Sequence, residues 1–207
     1  MSSQKGTAMQ ETSRNLRFNY FFEMILYLIC GVSIVYFALI GNYDKTFQAG
    51  LIIVVLILFR GLITWTKSEL PPALRFSVLV FIAITMMLAN LFNMYGVIPY
   101  LDKIEHLLSG VILFFVGRFI LIKMAKRKGL SGLPSNIIIW FAFLFAVAMA
   151  GIWEIYEFTV DHLFGLHSQN GSLNDTMLDM ICGTSGALVA SFYLYDKVRR
   201  TSRVDPR

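Results

Sequence analysis

Six stretches of roughly 20 mostly apolar residues divide this chain, at 20–40, 47–65, 73–92, 106–124, 137–158 and 176–195. A helix rises about 1.5 Å per residue, so each stretch is long enough to cross the roughly 30 Å hydrocarbon layer of a bilayer. Backbone groups have no water to bond there, and a helix satisfies them internally. The composition agrees: 57% hydrophobic, 15% charged and a mean hydropathy of +0.65, too apolar for an ordinary soluble domain. The expected fold class is all-α, a polytopic integral membrane bundle of six transmembrane helices. It divides into a polar tail (1–18), a six-helix transmembrane domain (19–196) and a basic tail (197–207).

The net charge of +5 does not point to nucleic acid, because the positive residues alternate by loop. Lys5, Arg14 and Arg17 precede the first span, Lys67 and Arg75 follow the second, and Lys123, Lys126, Arg127 and Lys128 follow the fourth. Lys197, Arg199, Arg200, Arg203 and Arg207 follow the sixth, whereas the first, third and fifth loops hold only Lys45 and Lys103. Positive loops stay on the cytoplasmic side. Both termini are therefore expected in the cytoplasm, in a multi-pass protein of the plasma membrane.

The first eighteen residues are polar and read as a disordered tail or a short surface helix. The apolar run after them is long enough to remain as a span, so no cleavable signal peptide is expected. Pro71 and Pro72 stop one helix and start the next. The loop after span five carries Asn170-Gly171, a tight-turn pair that would let it fold over the outer mouth as a lid. Cys30 and Cys182 lie inside spans, with no CxxC or Cys/His metal spacing.

Against this apolar background, ionisable residues gather at the outward ends of the last three spans. Asp102 and His106 open span four, Glu154 and Glu157 close span five with Asp161 beyond them, and Asp175 and Asp179 open span six. Residues three or four apart share a helix face, so each pair aims at a common point. A charge at mid-membrane costs on the order of 2.5–3.5 kcal/mol on insertion scales, so such clusters mark function or mutual satisfaction. Asp102 and Asp175 also suit helix N-termini, and Glu157 and Asp161 suit interfacial water. Glu154 and Asp179, about a turn inside their spans, fit neither explanation.

Converging acids need a positive partner. A divalent metal ion held by Asp102, His106, Glu154, Glu157, Asp175 and Asp179 is the leading expectation: oxygen-rich ligation with one imidazole suits magnesium, manganese or calcium and tolerates zinc or iron. Lys103, Arg118, shared protons or a cationic substrate are the other compensators. Glu154, Glu157 and His106 are the candidate catalytic groups, and His162 or His167 would join as the fifth loop closes. Glu23 and Arg60, near cytoplasmic span ends, read as snorkelling or paired, and Asn90 and Asn93 as helix links or donors to the site. Gly183-Thr-Ser185-Gly186 matches the GxSG string around the nucleophile of rhomboid proteases. Every histidine here precedes Ser185, whereas rhomboids take their base from a later helix, and close helix packing by small residues is the reading adopted.

Three segments in order, Asp102-Lys-Ile-Glu-His106 with Gly110, Trp153-Glu154-Ile-Tyr-Glu157, and Asp175-Thr-Met-Leu-Asp179 with Gly183 and Gly186-Ala187, resemble the signature of the YjdF-type family of bacterial membrane-spanning proteins. More remotely the pattern is similar to that of VanZ-like proteins, implicated in resistance to glycopeptide antibiotics. Those chains usually carry E-x-x-Q where this one has Glu154 and Glu157. The resemblance implies a shared polar signature and no particular activity. From the residues themselves, the leading function is a metal-dependent membrane hydrolase acting on a lipid or lipid-linked envelope-precursor substrate. The alternatives are a cation or proton-coupled transporter, or a non-catalytic envelope ligand-binding or accessory protein. The nearly apolar stretches 111–116, 137–145 and 188–192 disfavour a conducting path.

Overall fold

A computed structural model describes residues 2–130, 132–164 and 172–204. It contains α1 (Ser2–Leu39), α2 (Tyr43–Trp65), α3 (Pro72–Ile82), a π-helical continuation (Ala83–Leu91), a 3₁₀ turn (Met94–Gly96), α4 (Leu101–Arg127), α5 (Ser135–Phe164) and α6 (Leu173–Val204). Six helices are long and apolar enough to cross a membrane, and no strand occurs among the described residues. The expected all-α class holds. Most of the helices outrun their apolar windows. Helix α1 begins at Ser2, so the stretch expected as a disordered tail or a short surface helix is helical and continuous with the first span, and α6 carries the basic tail to Val204. Gln, Glu, Arg and Leu favour helix, and no proline interrupts either extension.

The chain forms two compact units, Met1–Pro99 and Tyr100–Arg207. In the first, α1 packs on α2 and α3, and the π segment packs on α2. Leu26 and Cys30 of α1, Ile52 and Leu56 of α2 and Leu79 and Ile82 of α3 build its core with Met87 and Leu91. Their spacing of three or four keeps each set on one helix face. The third span changes winding at Ala83. The amide of Phe92 donates to the Met87 carbonyl at 2.9 Å, and Asn90 Nδ2 donates to the Thr85 carbonyl at 2.9 Å. Lys45 Nζ reaches the Asn90 carbonyl at 2.6 Å, so Asn90 acts as a local link within this unit.

Arg75 behaves differently from a loop charge. Helix α3 starts at Pro72, a residue whose fixed φ suits the first helical position. That start puts Arg75 in the first turn, where it is 4% exposed and its Nη2 donates to Glu23 Oε2 at 2.6 Å. Its guanidinium lies 4.1 Å from the Tyr20 ring centre, and Arg60 Nη1 stands 3.9 Å from Glu23 Oε1. Asn19 Nδ2 donates to the Pro72 carbonyl at 2.7 Å. Glu23 and Arg60 are thus paired, with Arg75 as the principal partner.

In the second unit α4, α5 and α6 each pack against the other two. Phe114, Ala142, Ala146, Ala187, Ala190 and Leu194 form the core. A Cβ at Gly110 would run into the Gly183 carbonyl, and one at Gly186 into the Leu107 carbonyl. These glycines therefore bring the α4 and α6 backbones together, as small residues do in membranes. Ser185 of the GxSG string is exposed, while its glycines are buried against α4. The string is a packing device.

Candidate functional site

The crossing of α4 and α6 determines the spacing of the polar cluster. His106 precedes Gly110 by one turn, and Asp179 precedes Gly183 by one turn. Two backbones in contact at the glycines leave the side chains a turn away within bonding range. His106 Nε2 lies 3.7 Å from Asp179 Oδ1 and 3.6 Å from Asp102 Oδ1, the latter one turn earlier on α4. One donor atom each from Asp102, His106 and Asp179 all fall within 4.8 Å of one another. Asp179 is 3% exposed and His106 8%; Asp102 is partly buried.

Lys103 joins this group. Its Nζ contacts Asp175 Oδ1 at 2.6 Å, Asp179 Oδ1 at 2.7 Å and Asp102 Oδ2 at 2.9 Å. An ammonium has three N–H donors, and three carboxylates surround this one. Asp175 therefore turns its carboxylate to Lys103 while Ser172 caps α6: the Asp175 amide donates to Ser172 Oγ at 3.4 Å. Sequence reasoning named Lys103 as one compensator among several. Its central position depends on α6 arriving from 72 residues away, a separation that no spacing within α4 reveals.

Helix α5 supplies the remaining acids. Glu154 is 4% exposed and within electrostatic reach of His106 and Glu157. Glu157, half-buried, accepts a hydrogen bond from Trp153 Nε1 at 2.8 Å on its own helix. Asp161 is partly buried further along α5, and exposed His162 stacks on Phe158 with ring centres 4.9 Å apart. His167 and the Asn170-Gly171 turn lie outside the described residues, so the lid and that histidine have no structural account. Glu105, also on α4, is 5% exposed. Three residues beyond Asp102, it shares that side of α4.

Asp102, Asp175 and Asp179 surround the Lys103 ammonium and the His106 imidazole, with Glu154 and Glu157 in electrostatic reach of that imidazole, so acidic groups outnumber basic ones within the cluster. A low-dielectric surround strengthens the field, and such a field favours a cation. Together, fold and site define a polytopic helical membrane protein with an acidic, lysine-bridged cluster in its C-terminal three-helix unit.

The chain belongs to the family described as predicted membrane protein (DUF2238), which matches residues 22–200. It is the family to which the YjdF-type signature pointed. An uncharacterized protein of Thermotoga maritima is 27% identical over 132 residues, covering 64% of this chain and 67% of that relative. No solved structure matches the chain.

Proposed function

We propose that the α4–α6 unit holds a divalent cation through Asp102, His106 and Asp179 and serves a hydrolase acting on a lipid or lipid-linked envelope substrate. The observation that carries the proposal is the convergence of one imidazole and two carboxylates, with donor atoms within 4.8 Å, amid excess acid. Such a donor set suits magnesium, manganese, zinc or iron. A cation bound there supplies Lewis acidity and a more acidic water. Glu154, buried beside His106, is the base in this reading. Glu157 stands next to exposed Trp153 and Tyr156, where an amphipathic headgroup would arrive from the interface. The positive-inside distribution of Lys and Arg supports an outward-facing site in the plasma membrane with both termini cytoplasmic.

The test is metal content and turnover in the purified full chain. After loading with Mn²⁺ or Zn²⁺, the wild type should retain metal, Asp179→Ala and His106→Ala should lose it, and Glu154→Gln should retain it. Hydrolysis of a fluorescent phospholipid should then fail in all three variants. A wild-type chain that retains neither ion ends the metal reading. The second reading is a non-catalytic envelope-ligand or accessory protein. It draws on the three ion pairs of Lys103, which neutralise part of the cluster without any metal. Metal bound equally by wild type and Asp179→Ala would favour it.

A further inference from the structure

We propose that Lys103 is a tethered cation that competes with the divalent ion for the acidic cluster, so that ion binding proceeds by displacement of its ammonium group. The inference rests on the metal reading above and adds a regulator to the same site.

The ammonium occupies a position that already has the attributes of a cation site. Three carboxylates from two helices surround it: Asp175 and Asp102 accept its hydrogen bonds at 2.6 and 2.9 Å, and Asp179 Oδ1 makes an ion-pair contact at 2.7 Å. The decisive atom is Asp179 Oδ1. It is the oxygen bound by Lys103 at 2.7 Å and also the one nearest His106 Nε2, at 3.7 Å. A transition metal or magnesium ligated by that oxygen would sit about 2.0–2.2 Å from it. Two cations sharing one buried carboxylate oxygen would stand only a few ångströms apart, where their repulsion in low dielectric is large. Asp179 therefore serves one at a time.

Lys103 is suited to leave. Its side chain is 19% exposed, in the first turn of α4, and a lysine stem is four carbons of freely rotating chain ending in a strongly hydrated group. Asp102 contacts both sides of the exchange, through Oδ2 to Lys103 and Oδ1 to His106. In the metal-free state the lysine holds α4 to α6 across the acids and limits their mutual repulsion. In the metal-bound state the ion takes over that function and Lys103 turns to the interface.

The experiment uses the full chain in nanodiscs, Mn²⁺ as the probe and amine acetylation read by mass spectrometry. In the wild type, saturating Mn²⁺ should raise acetylation of Lys103 several-fold, with Lys67 and Lys197 as unchanged internal references. Lys103→Met should bind Mn²⁺ roughly tenfold more tightly, and Lys103→Arg more weakly, because a guanidinium keeps the charge and forks onto carboxylates. Mn²⁺ binding in the wild type with unchanged Lys103 acetylation overturns the displacement inference and leaves the metal reading standing. No Mn²⁺ binding in either wild type or Lys103→Met overturns both, whereas binding by Lys103→Met alone supports displacement. The acetylation arm needs no variant, so the inference remains testable if Lys103→Met does not fold.

Discussion

The two units treat buried charge in opposite ways. In the first, Glu23 at 1% exposure meets Arg75 at 2.6 Å, with Arg60 3.9 Å away and Tyr20 beneath both guanidinium groups. Cations match or exceed the acid, and the pair ties α1 to α3. In the second, Lys103 and His106 face Asp102, Asp175 and Asp179, with Glu154 buried within electrostatic reach of His106. Acid exceeds base. A balanced buried pair holds helices in register and invites nothing further, whereas an acid-rich cluster keeps its neutrality open to an exchangeable cation. On the metal reading proposed above, the contrast separates structural charge from functional charge within one chain.

The largest effect should come from breaking the balanced pair. Arg75→Ala leaves Glu23 buried without its main counter-ion and should cost about 3–5 kcal/mol in reversible unfolding, while Arg75→Met with Glu23→Leu should recover most of that. A double variant as damaged as the single would erase the structural side of the contrast. Next in size is the helix crossing. Gly186→Ala drives a Cβ into the Leu107 carbonyl, which cannot move aside. The expected loss is on the order of 1–3 kcal/mol, together with metal retention, since the crossing positions His106 against Asp179.

Lys103→Met should destabilise the metal-free chain less than Arg75→Ala does, because its site lies nearer water. Mn²⁺ should restore that loss by about 2.7 kcal/mol at a hundred times its dissociation constant. Thermal unfolding at one fixed Mn²⁺ concentration measures this, and a stabilisation of Lys103→Met no larger than that of Arg75→Ala, which keeps the lysine, would remove the competition between ammonium and ion. The smallest effect is local. Ser172→Ala removes the cap of α6 and should cost about 0.5–1 kcal/mol, with metal retention unchanged because Asp175 is held by Lys103.

Much of this was legible in the residues. Apolar runs exposed all six spans, because the demand for internal backbone bonding leaves a plain length signal. Helical spacing marked Asp102 with His106 and singled out Asp179, and the structure brings these three donor groups together. Helix ends were harder to read. An apolar window stops at the membrane surface, but the helix does not, so α1 and α6 extend through stretches read as tails. Arg75 reads as a loop charge in the sequence for the same reason: its role follows from the α3 start at Pro72 and from α1 packed alongside. The acids at helix starts were ambiguous between caps and ligands. Side-chain direction resolved them, sending Asp175 to Lys103 while Ser172 took the cap.

By itself the sequence determined the number of spans, the helical class and the membership of a polar signature, since each depends on spacing along one chain. Tertiary structure decided which charges meet. Lys103 sits among three aspartates because glycines on α4 and α6 let two backbones touch. Periodicity assigns a residue to a face of its own helix, but the partner across that face depends on how closely and at what height two helices cross.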